Sequence, residues 1–142
     1  MTSDELKLRF RKFSGRIIKM VDKMSNTISG RAIGTQVVRS GTSPGANYKA
    51  ACRAKSDKDF VNKLKIIQEE LDETEYWIKV ISDVELIKPE LLLELKKDTK
   101  ELLAIITQSI ITKKNKMHNS SIVKSFLLPI VNCKSLNCIY KI

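Results

Sequence analysis

Apolar side chains recur along this chain at alternating intervals of four and three residues, a spacing that only an α-helix gathers onto a single face. Leu6, Phe10, Phe13, Ile17, Met20 and Met24 form the first such run. Phe60, Leu64, Ile67, Leu71, Thr74, Ile78 and Ile81 form a longer one, and Leu92, Leu95, Thr99, Leu102, Ile106 and Ser109 another. These runs predict helices from Ser3 to about Met24, from Ser56 through Ile81, and from Pro89 to a fading end near Lys113 to Lys116. Ser56-Asp57-Lys58-Asp59 offers a capping side chain followed by early acids that suit the positive end of a helix. Pro89 fits a first turn, where its missing N–H leaves no bond unmade.

Ser25-Asn26-Thr27, with Ser29-Gly30 close behind, reads as a polar link to one more helix, running from near Arg31 to about Lys55. Inside that helix, Ser40-Gly41-Thr42-Ser43-Pro44-Gly45-Ala46-Asn47 puts two glycines and a proline where an interior is expected. Pro44 cannot donate to the Ser40 carbonyl, so a kink or brief interruption is predicted, with Ser43 capping the restart.

Four amphipathic helices on short links specify an all-α, antiparallel up-down four-helix bundle over residues 1–116, because a short loop forces the next helix to reverse. A chain of 142 residues suits one core. Its 5 Gly, 3 Pro and 6% aromatic residues argue against sandwiches and barrels. Residues 117–142 differ: from Asn119 onward there is no acid and no clean period, so a mobile or loosely docked tail is expected. No apolar run approaches the roughly 20 residues of a membrane span, so no membrane partner is expected. The charged opening and the odd number of cysteines, 3, fit a reducing cytoplasm.

Charge is divided unevenly along the chain. The net charge is +10, yet residues 26–55 hold five basic side chains and no acid, while residues 56–86 hold nine acids against four basic groups. On the first helix Arg9, Lys12, Arg16, Lys19 and Lys23 fall in their own stripe beside the apolar seam. Arg31, Arg39, Lys49, Arg53 and Lys55 add an acid-free patch on the second. Such a surface attracts a phosphate backbone, chiefly through counterion release. No aromatic side chain interrupts the stripe, so recognition would be directed at the backbone of RNA or DNA and not at stacked bases. The alternative is a structural or protein-interaction module whose cations are solvated, or paired with Glu69, Glu70, Asp72, Glu73 and Glu75 in the bundle or in a neighbouring copy.

Catalytic chemistry is hard to assemble. His118 stands alone and reads as a surface residue; Cys133 and Cys138 lack a second ligand pair for zinc; Cys52 reads as a small buried side chain. Gly41 to Gly45 followed by Lys49 lacks the Gly-Lys-Ser/Thr of a phosphate loop, and no strand precedes it. No catalytic residue, metal or cofactor is assigned, and a non-enzymatic protein is expected.

Three segments carry a resemblance: Arg39-Ser-Gly-Thr-Ser-Pro-Gly-Ala-Asn47, Asp59-Phe-Val-Asn-Lys-Leu-Lys-Ile-Ile-Gln-Glu-Glu70 and Glu73-Thr-Glu-Tyr-Trp77. Together, over roughly residues 5–115, they resemble the four-helix-bundle proteins encoded in intervening sequences of 23S ribosomal RNA genes, a group that includes accessory proteins of diversity-generating retroelements. The resemblance implies a homopentameric assembly. For the retroelement relatives it further implies a basic surface that binds nucleic acid and a reverse transcriptase. It also suggests Asn47, Tyr76 and Trp77 as candidates for a subunit interface. Tyr48-Lys49-Ala50-Ala51 departs from the Ile-Ala-Glu-like sequence of many relatives, and residues 117–142 have no counterpart.

Overall fold

The first three helices each begin where a side chain satisfies otherwise unbonded backbone N–H groups. In a computed structural model describing the backbone of residues 1–133, and side chains through Ser121, four helices and no strand are present among the described residues. They are α1 (Ser3–Val21), α2 (Ile28–Ala51), α3 (Asp57–Asp83) and α4 (Pro89–Cys133). Thr2 caps α1 in a reciprocal box: its hydroxyl accepts from the Glu5 N–H at 3.2 Å, and the Glu5 carboxylate accepts from the Thr2 N–H at 2.7 Å. Ser56 opens α3 as predicted, accepting from the Asp59 N–H at 3.1 Å.

The end of α1 and both ends of α2 differ from expectation. α1 stops at Val21, where Asp22 caps it and a tighter turn brings the Lys23 and Met24 N–H groups onto the Met20 and Val21 carbonyls. α2 starts at Ile28, because Thr27 acts as a cap, its hydroxyl accepting from the Gly30 N–H at 3.0 Å. α2 ends at Ala51, short of Lys55.

The predicted interruption of α2 is absent, and the helix runs through Pro44. Pro44 and Ser40 are both buried, and α2 is flanked by α1 and α3, so packing on two sides outweighs one missing backbone bond.

The predicted fade of α4 near Lys113 to Lys116 is also absent. Lys113, Lys114, Lys116 and Met117 are good helix formers, and no glycine or proline follows before Pro129, so the backbone ladder continues after the apolar rhythm has ended. Of the expected mobile or loosely docked tail, residues 117–133 therefore belong to α4, while 134–142 lie outside the described residues.

Successive helices pack side by side, and α1 meets α4 least closely. The seams read from the sequence form the core: Phe10, Phe13, Ile17, Leu64, Ile67, Leu71, Ile78, Leu102 and Ile106 are fully enclosed. Phe60 and Met24 sit at its margin. The small residues of α2 bring it close to α1. A Cβ on Gly41 would come within 2.8 Å of the Ile17 side chain, and one on Gly34 within 3.0 Å of Val21. On the other flank the Ser40 and Thr74 hydroxyls are hydrogen-bonded at 3.0 Å, which satisfies two buried polar groups inside the α2–α3 contact.

Cys52 is a correction to the sequence reading. It is exposed, because it lies at the C-cap of α2 beyond the packed face, with its sulfur 3.2 Å from the Ser3 hydroxyl. Cys133 bounds α4, and Cys138 lies outside the described residues. His118 is exposed, as a surface histidine should be.

Candidate nucleic-acid interface

The α1 stripe divides by direction. Arg9 and Arg16 lie on the edge nearest α4, and both engage Asp98: Arg9 Nη2 is 2.7 Å from one carboxylate oxygen and Arg16 Nη1 is 3.0 Å from the other. Arg9 also reaches Glu101 at 2.6 Å. Its guanidinium is held above its ordinary pKa by the hydrogen bonds it donates to Asp98, so the charge is fixed but committed. Lys12, Lys19 and Lys23 point further out, are exposed, and form no ion pair among the described residues. Lys19 and Lys23, with Arg16, border a shallow 170 Å³ depression over Met20, Leu91 and Leu95, where α1 and α4 meet least closely.

The second-helix cations divide in the same way. Arg39 crosses to α3 and pairs with Glu70 and Glu73. Glu73 also accepts from the Trp77 indole N–H at 3.2 Å. The Arg39 hydrogen bond holds Glu73 below the usual carboxylate pKa, against the opposing effect of burial. Arg31 donates to the Asn26 side chain at 2.9 Å. Lys49, Arg53 and Lys55 are exposed and make no ion pair among the described residues. Of ten cations assigned from sequence, three are thus cancelled by carboxylates and the rest remain open.

The three candidate interface residues have distinct surroundings. Tyr76 is 58% exposed and meets Trp77 edge-on at 5.0 Å. Trp77 is half-buried against the core. Asn47 is half-buried, and its amide donates to Ser43 one turn back at 2.9 Å.

One feature escaped the sequence reading. Along the outer side of the α1–α2 contact runs a groove of about 650 Å³, bordered by Lys7, Arg11 and Lys49 over Leu8, Ile18 and Ala46. It leads toward a second hollow of about 600 Å³ at Val21, Gly34 and Val38. The signal was present, since Lys7, Arg11, Ser14 and Ile18 keep the same four-three rhythm one flank away from the core seam. Lys7 is paired with Asp4 at 2.9 Å, whereas Arg11 and Lys49 are open.

Among the described residues no group of three metal-ligating side chains occurs, and no buried side-chain polar atom lacks a partner. Among the described residues no helix is long and apolar enough to cross a membrane. Burial raises the Tyr48 phenol above its ordinary pKa, but its ring packs 5.4 Å from Phe10 as part of the core.

Known proteins place this arrangement. The family described as 23S rRNA-intervening sequence protein matches residues 7–108. A solved structure from Bacteroides thetaiotaomicron VPI-5482, a protein with unknown function from the S23 ribosomal protein family, is 33% identical. It aligns over 78% of this chain and 98% of its own with a TM-score of 0.72. No curated protein matches the chain. With the match spanning most of all four core-forming segments, the chain belongs to the 23S rRNA-intervening sequence protein family.

Proposed function

We propose that this protein is a non-enzymatic, cytoplasmic, oligomeric bundle that binds the backbone of RNA or DNA through α1 and α2. The observation that carries the reading is the row Lys12, Lys19 and Lys23, exposed and without a carboxylate partner among the described residues, beside a second helix with no acid at all. Lysines on one helical face can follow successive phosphates and release counterions as they do so. Arg53 and Lys55 extend the positive surface, and Arg31 remains open to an anion despite its contact with Asn26. Arg9, Arg16 and Arg39 serve the fold first, because each is clasped by an acid.

The resemblance to retroelement accessory proteins suggests five copies per assembly and a reverse transcriptase as partner. A second reading, an interaction module that binds no nucleic acid, is favoured by the apolar floor of the α1–α2 groove. Binding of a fluorescent duplex RNA, duplex DNA and RNA–DNA hybrid across a salt series separates them. Reversing Lys12, Lys19 and Lys23 to Glu is expected to weaken binding at least tenfold and flatten its salt dependence. Equal binding by that variant and the native chain overturns the proposed surface.

A further inference from the structure

The α1–α2 groove and the outer ridge of α3 are opposite in charge and alike in having apolar centres. The groove sets Arg11 and Lys49 over Leu8 and Ile18, which are 41% and 44% exposed. The ridge carries exposed Glu69 and Asp72 between Ile66 and Tyr76, which are 45% and 58% exposed. Neither carboxylate forms an ion pair among the described residues, although Glu70, Glu73 and Glu75 on the same helix all do.

These surfaces cannot meet within one molecule. The Arg39 clasp onto Glu70 and Glu73 fixes α2 against α3, which leaves the groove on the α1 side of α2 and the ridge on the far side of the clasp. Building on the self-association in the proposed function, we infer that the Glu69–Asp72–Tyr76 ridge of one copy lies in the Arg11–Lys49 groove of the next. Tyr76 supplies a large amphipathic anchor of the kind that dominates interfaces, Leu8 and Ile18 supply the floor that receives it, and the four charges set the register. A phosphate backbone gains nothing from that floor, which is why the groove is assigned to protein and the lysine row of α1 to nucleic acid.

The contact is directional. Ridge on ridge sets carboxylates against carboxylates, groove on groove sets cations against cations, and only ridge in groove is attractive. Two different surfaces in contact make a head-to-tail interface, which closes into a ring when the rotation permits.

The test is the solution mass, by sedimentation velocity on the full chain, at about 50 mM and about 0.5 M salt. Three variants accompany the native protein: Arg11→Glu with Lys49→Glu, Glu69→Lys with Asp72→Lys, and all four together. The native chain is expected to assemble, and to do so less at high salt. Each two-site reversal is expected to weaken assembly at least tenfold with its helical circular dichroism unchanged, and the four-site chain to recover it. Tyr76→Ala, which alters no charge, is expected to weaken assembly as well. A monomeric native chain, two-site variants of unchanged mass, or a four-site chain that stays apart overturns the inference. Reversal of Lys12, Lys19 and Lys23 should leave the mass alone, so loss of nucleic-acid binding and loss of this interface are read separately.

Discussion

Arg9 and Asp98 are joined across the least intimate contact of the bundle, with Nε at 3.1 Å and Nη2 at 2.7 Å from one carboxylate oxygen. Asp98 is only 16% exposed and also holds Arg16, so one acid ties two turns of α1 to α4. Asp98→Asn keeps the shape and removes the charge. Partial solvent exposure limits the loss, which is expected at about 1–2 kcal/mol in urea denaturation. On the proposed function the same change frees Arg16 while Arg9 keeps Glu101, and affinity for a duplex should rise while stability falls. A fall in both would show that Arg16 faces no anion.

Gly41 should not tolerate a methyl group. The added Cβ meets Ile17, whose side chain is fully enclosed and stiff at χ1, so α1 and α2 must separate. Gly41→Ala is expected to destabilise by about 1–3 kcal/mol despite the better helix propensity of alanine. Gly15, with nothing within 4 Å of its Cβ position, is the control: Gly15→Ala should be neutral or stabilising by up to about 1 kcal/mol. Thermal unfolding of the pair reads the contrast.

Glu85 occupies the left-handed region at φ 52°. It ends α3 in a Schellman turn, in which the Leu86 N–H bonds to the Ile81 carbonyl at 3.0 Å and the Glu85 N–H to the Ser82 carbonyl at 3.3 Å. Glycine adopts that conformation without the clash of about 1–2 kcal/mol, though it adds unfolded-chain entropy. Glu85→Gly is expected to raise stability by about 0.5–1 kcal/mol, seen as an upward shift in Tm.

Acid should loosen the molecule through Glu73 and Asp59. The Arg39 hydrogen bond lowers the Glu73 pKa from its ordinary 4.5, and the Lys63 hydrogen bond lowers that of Asp59 from 3.8. Both carboxyls take up protons more readily in the unfolded chain. Their contributions are therefore complete above those ordinary values and disappear as pH falls through the lowered ones. Urea midpoints measured from about pH 6 to about pH 3 should fall in that window, and less steeply in Glu73→Gln. An identical slope in the variant would remove Glu73 from the account.

The sequence carried the fold because the seam is periodic: Phe10, Leu64, Leu71 and Leu102 are buried where the four-three rhythm puts them. Ends were less visible. Thr27 caps α2 although it looks like a linker, and Pro44 stays helical because α1 and α3 hold its neighbours in place. The cationic stripe could be counted but not sorted. Arg9 and Asp98 are 89 residues apart, and no local pattern announces that pair. Lys12 and Arg9 look alike in a helical projection, and only the position of α4 decides which is open. The α1–α2 groove depends on the depth to which Gly45 and Ala46 let α1 settle, a property of two helices together.

An acid-free α2 beside an acid-rich α3 gives the molecule a lateral electrical polarity as well as a net charge. Over distances within the Debye length, a polyelectrolyte approaching from any side exerts a torque on such a body before touching it. On the proposed function the protein would arrive already turned. Much of the selectivity between a right and a wrong encounter would then be settled during diffusion, and added electrolyte would blunt that advantage first in the arrival rate and only later in the lifetime of the complex.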